Sequence, residues 1–214
     1  MKNLMYIALL GLLLFPACQN NQSEEASAEE VQATLVEETE IDEVPNISDL
    51  ELDEAIAAFL DGDNTAASAY IEQAVTDIEE EGEELTGNHK TLLEMAVGNL
   101  NTLADKVKQG EVKDEAELNK VFANAEMNVA HAYLTFTDVY ALESPENARG
   151  ALEKAIARME SASARLEGRA KTEAEDMIRE GKAFLKKEDT KANDWGNATG
   201  HQINKMTGWL QQHS

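Results

Sequence analysis

From residue 48 to the C-terminus, apolar residues recur every three to four positions, and no alternating, β-branched run with hairpin turns interrupts them. That period lays one apolar stripe along each of a series of helices and leaves strands no pattern to form from. Aromatic residues are only 5% of the chain, so the stripes are filled by Ala, Leu, Ile, Val and Met. Such side chains suit close packing of helix on helix. The expected fold class is all-α: an up-and-down bundle of four to six helices, because the connections are short.

Punctuation residues divide the bundle. Ser48 reads as an N-cap with Glu51 as its capping-box partner, followed by Leu52, Ile56 and Phe59 on one face. Asp61-Gly62-Asp63-Asn64 is a turn signal, and a second helix follows over 65–81. Gly82 and Gly87 bound the next break, a third helix covers 90–108, and Gly110 stops it. The fourth helix is expected over 115–142. Ser144-Pro145 starts the fifth, with Pro145 at the first helical position. The fifth extends toward residue 187, with Gly168 and Gly181 as the places where it can break. Residues 189–200 read as a looser stretch before a final helix over 201–212. Within this series AIAAFLDGDNTAASAYIEQA (55–74) resembles one helical hairpin of a tetratricopeptide-type repeat, and ARGALEKA (148–155) shows similar small-residue packing. The family's Trp, Gly, Tyr and Pro positions do not recur at a regular period, so the resemblance implies a local hairpin only.

The formal net charge is −24. A chain this acidic is not built for nucleic acid, whose phosphates require a basic surface, nor for adsorption to anionic headgroups. It implies a self-repelling, solvated surface, or an acidic patch for cations or a basic partner.

The N-terminus points to an address. Lys2 is followed by the twelve-residue apolar run LMYIALLGLLLF and then by Pro16, Ala17 and Cys18, the one cysteine of the chain. Twelve residues are too few to span a bilayer as a helix but suit a signal-peptide core. The segment resembles a bacterial type II (lipoprotein) signal peptide. That resemblance implies cleavage before Cys18 and acylation of its thiol, with palmitate-type chains as the membrane anchor. Gln19, rather than Asp, follows the cysteine, which favours the outer membrane over the inner. Residues 19–47 contain nine acidic residues and no Lys or Arg, a composition expected of a disordered, charge-extended tether. The expected organisation is thus 1–17 signal peptide, 18–47 lipidated cysteine and tether, and 48–214 helical bundle.

Catalytic and metal motifs are missing from the sequence. There is no His-Glu-x-x-His, phosphate-cradling glycine loop, EF-hand loop or Cys-x-x-Cys-His. Di-metal bundles use Glu-x-x-His pairs, whereas here Asn128-x-x-His131 lacks the carboxylate. No enzyme activity, cofactor or metal is expected. The clearest polar pattern lies on the fourth helix, where Asn124, Asn128, His131, Thr135 and Asp138 recur at steps of four, three, four and three. That spacing puts them on one face, suited either to a polar pocket shared with His201 or to a polar layer that fixes helix register. Trp195 and Trp209 near the C-terminus are candidates for a partner-binding patch or for packing of the last helix. Glu79-Glu80-Glu81 with Glu83-Glu84 reads as solvated charge. The sequence therefore points to a lipid-anchored envelope protein whose helical domain serves interaction or scaffolding with an envelope protein partner. The alternative is a binder of a small ligand or metal through the stripe around His131.

Overall fold

A computed structural model describes residues 47–83, 85–141, 143–187 and 192–214, with the side chains of 47 and 192–198 outside the description. Cys18, the tether and the indole of Trp195 therefore lie outside the described residues. Every regular element among those described is a helix: α1 (Ile47–Leu60), α2 (Asn64–Glu81), α3 (Asn88–Lys108), α4 (Glu115–Tyr140), α5 (Pro145–Arg165), α6 (Gly168–Leu185) and α7 (Ala192–His213). All lie in one compact unit, within residues 42–214. Each helix packs on its neighbours in the chain, and α4 additionally meets α1 and α7. The arrangement is up-and-down, as short connections require.

The turns work by the chemistry their residues supply. Gly62 adopts φ +81°, a conformation that costs an L side chain about 1–2 kcal/mol. The Asp63 carboxylate then accepts a 2.9 Å hydrogen bond from the Ala66 amide and caps α2. Asp114 caps α4 in the same way, accepting from the Glu117 amide at 3.0 Å. At Ser144-Pro145 the proline opens α5 and the Ala148 amide donates to the Ser144 carbonyl. The sequence resembling a repeat hairpin is indeed the α1–α2 hairpin.

Four expectations are corrected. Among the described residues there are seven helices rather than at most six, because the long fifth segment breaks at Leu166-Glu167, with Gly168 at φ +59°. Gly181 causes no break; it is buried inside α6, where its missing side chain lets Ile156 of α5 approach. The stretch expected to be loose from 189 is already helical from Ala192. Finally, α1 begins at Ile47, so Ser48 is inside its first turn, and the Ser48 hydroxyl accepts from Arg158.

The core runs the length of the bundle. Leu52, Ile71, Leu100, Phe122, Leu134, Leu152 and Leu210 are all fully buried, each contributing about 1.5–3 kcal/mol of transfer free energy. α4 is its axis. From Ala125 to Ala130 every residue is buried, and Ala132, Tyr133 and Leu134 continue the enclosure. Over that stretch the helix has no solvated face, which decides where the middle of its polar stripe goes.

Candidate functional site

Encasing α4 draws its polar residues into the bundle or onto its flanks. Asn128 is buried, and its amide nitrogen donates both to the Asn124 carbonyl at 3.0 Å and to the Asn124 side-chain oxygen at 3.1 Å. Asn99 of α3 donates to the same oxygen at 3.3 Å. Three asparagines thus form a chain whose central acceptor is Asn124 Oδ1. His131 is half-buried, and burial lowers its pKa below the ordinary 6.5. The Thr135 hydroxyl donates back to the His131 carbonyl at 2.8 Å. Asp138 and His201 are exposed. Among the described residues no group of three His, Cys, Asp or Glu side chains is placed to hold a metal ion.

A groove of about 810 Å³ opens where the first half of α4 faces α3, the α5–α6 turn and the end of α7. Asn99, Asn124, Lys106, Lys120, Glu117 and Glu167 contribute its polar chemistry, with Leu103, Val121 and Met127 as apolar floor. Of the stripe predicted from sequence, only Asn124 lines this groove; Asn128, His131, Thr135, Asp138 and His201 do not. The groove edge includes His213, whose ring stacks on Trp209 at a centroid distance of 4.6 Å and an interplanar angle of 19°. Trp209 itself is buried in the core, so it anchors α7 rather than presenting a surface patch.

A second polar constellation was not anticipated. Arg158 of α5 is buried with its side chain 2% exposed, opposite a Glu126 that is 0% exposed. Its guanidinium donates to both Glu126 carboxylate oxygens, at 3.0 and 3.1 Å, and also to Ser48 and to Glu81. Glu81, read from sequence as solvated charge, is thereby drawn into the bundle. Two turns on, Arg165 pairs with Asp49 at 2.5 Å and Asp53 at 2.7 Å. α1 and α2 contain no Lys or Arg of their own, so both cations that hold the start of α1 come from α5. Burial pushes the Glu126 pKa upward by more than Arg158 pulls it down. Burial also disfavours the Arg158 cation, but the carboxylates of Glu126 and Glu81 outweigh that and hold it charged. The cluster fastens α1, α2, α4 and α5 together.

The signal for it was register. Phe122, Glu126 and Val129 recur at i, i+4, i+7, and Ala151, Ala155, Arg158 and Ala162 at i, i+4, i+7, i+11, so each charge occupies a core-facing place in its helix. Comparison of the chain with protein-family models, with curated proteins and with solved structures finds no match. Fold and site together define an all-α bundle with a polar groove at one end and a buried ionic clasp across its first helix.

Proposed function

We propose that this chain is a lipid-anchored protein of the bacterial cell envelope, attached through Cys18 to the outer membrane, whose bundle is a non-catalytic interaction or scaffolding module for an envelope protein. The observation that carries the reading is the lone cysteine placed directly after a signal-length apolar run and Pro16-Ala17. Two further features support it. The 29 residues of 19–47 are strongly acidic, a composition that extends a spacer away from an anionic membrane. Any pull along that spacer enters the bundle at α1, whose first turns are held by Arg158 and Arg165. Among the described residues no helix is long and apolar enough to cross a membrane. The test is intact mass of the membrane-extracted protein against Cys18→Ala. The expected result is an acylated species beginning at Cys18 that is lost, with membrane partitioning, in the variant. An unacylated, soluble wild-type mass would overturn the anchor.

A second reading, binding of a small ligand, is favoured by one observation: the groove lined by Asn99, Asn124, Lys106 and Lys120. It relocates the expected site from the His131 end of the stripe to the Asn124 end. An Asn124-dependent heat of binding for an amide-bearing probe would support it.

A further inference from the structure

The outer face of α1 carries an apolar seam that nothing among the described residues covers. Leu50, Asp53, Ala57 and Leu60 follow one another at steps of three, four and three, which puts them on one side of the helix, and all four are exposed. Leu52 and Ala55 are buried on the other side, where α1 meets α2 and α4. Five large apolar side chains are exposed among the described residues, and Leu50 at 61% and Leu60 at 62% are the two most exposed. They stand about 15 Å apart along the helix, with the small Ala57 between them. Scattered apolar residues are ordinary on a surface. Two leucines in register around an alanine instead form a saddle that the ridge of a second helix can fill.

The charge around the seam selects the kind of helix. α1, its turn and α2 (47–81) carry eleven Asp and Glu and no Lys or Arg. Asp53, within the seam, is taken by Arg165. Glu54 and Asp61, each four residues on from a seam residue and so on its flank, are exposed and make no ion pair among the described residues. A second copy of the chain is the wrong cover, because two such seams set carboxylate against carboxylate and neither brings a cation. An anionic bilayer is repelled for the same reason. A purely apolar cover would strip water from both carboxylates and return nothing for it. A helix with an apolar seam and Lys or Arg beside it buries the leucines and supplies the missing cations.

We propose that the outer face of α1 is a docking site for a basic amphipathic helix of an envelope protein. The proposal deepens the interaction-module reading above and rests on it. About three turns of partner helix span the seam, with apolar side chains seated around Ala57 and cations beside Glu54 and Asp61. Apolar contact supplies most of the affinity, and the charges set which helices are accepted.

The test is calorimetry on residues 19–214 made without the lipid, a form that retains the compact unit holding every described helix. The probe is the peptide LKKLLKLLKKLLKL, an amphipathic helix with a basic face. Its comparators are the same peptide with Glu for Lys and a scramble of the same composition. The expected result is binding of the first alone. Leu50→Gln/Leu60→Gln should weaken it at least about tenfold, the loss of two leucine contacts, with the circular dichroism melt unchanged. Glu54→Gln/Asp61→Asn should weaken it about threefold, and Glu94→Gln/Glu111→Gln, which removes two exposed carboxylates away from α1, should do so by less. Equal binding of the Glu peptide, or a dimer of the free chain abolished by Leu50→Gln/Leu60→Gln, would mean a different cover and overturn the proposal. So would binding that ignores the leucines and follows any lost carboxylate. Those results leave other faces open to a partner. The interaction reading fails by a separate result: photo-crosslinkers placed in cells at Leu60, Glu94 and Glu175 that give no envelope-protein adduct at all would overturn it, and this proposal with it.

Discussion

Replacing Arg158 by Met tests the buried clasp directly, because Met keeps an unbranched chain of similar reach and removes only the cation and its donors. In the native bundle Arg158 satisfies Glu126, which has no access to water, along with Glu81 and Ser48. Removing one partner of such a pair costs about 3–5 kcal/mol, mostly for the carboxylate left behind. With a urea slope of about 2 kcal/mol/M, typical of a domain this size, the midpoint followed by circular dichroism should fall by roughly 2 M. Removing both charges in Glu126→Leu/Arg158→Met should recover most of the loss, since hydrophobic replacement of a buried pair is often neutral and Glu81, at 26% exposure, can turn to water.

The pH dependence supplies an independent check. Folded Glu126 holds its proton at higher pH than the ordinary 4.5. Between 4.5 and that raised value the folded chain binds a proton that the unfolded chain has released, so this group's contribution to stability falls as pH rises through the window. Without Arg158 the pKa is raised further and the window widens upward. The deficit of Arg158→Met relative to wild type should therefore shrink on acidification toward pH 5. An Arg158→Met protein within 1 kcal/mol of wild type near pH 7.5, or a deficit unchanged by acid, would refute the claim that the pair is buried and coupled. So would a double variant as unstable as the single one.

Two further predictions follow from burial and close approach. His131 should titrate below 6.5 by NMR, as its burial requires; its contribution to stability is then full above 6.5 and lost as pH falls through the depressed folded value, and a midpoint at or above 6.5 would contradict its half-buried placement. Gly181→Ala should lower the melting temperature despite better helix propensity, because the new Cβ falls 2.8 Å from Ile156 Cδ1 and 3.1 Å from Cγ1 in a well-packed site. Overpacking costs about 1–3 kcal/mol against about 1 kcal/mol gained from propensity, and Ile156→Val, which removes that Cδ1, should rescue the double variant.

Much of the fold was legible because its determinants are local. Gly62 and Asp63 specify a turn and a cap within four residues, and Ser144-Pro145 specifies a helix start, so both appear where the sequence puts them. The break at Leu166-Glu167 was visible only as one of two glycines. Choosing between Gly168 and Gly181 requires knowing that α6 folds back against Ile156, a contact between residues 25 apart. The stripe on α4 was legible as a face but not as a site. Asn99, Lys106 and Lys120 are ordinary surface residues of α3 and α4 until the bundle brings those helices beside the α5–α6 turn, and only then does Asn124 separate from His131 in role.

The clasp shows what a helical pattern leaves open. α1 buries Leu52 and Ala55 fully but leaves Leu50 61% and Leu60 62% exposed, so its apolar contact is modest for a helix at the end of a bundle. An apolar stripe alone tolerates sliding by a turn, about 5.4 Å, at small cost, because one aliphatic contact replaces another. The charges do not tolerate it. Shifting α1 by a turn would take Ser48 from Arg158 and leave Arg165 with only one of its two α1 carboxylates, Asp49 or Asp53. The ionic layer therefore contributes position more than net stability, which is the best-attested use of buried polar groups in helical assemblies. It acts on α1, the helix into which the proposed tether would lead.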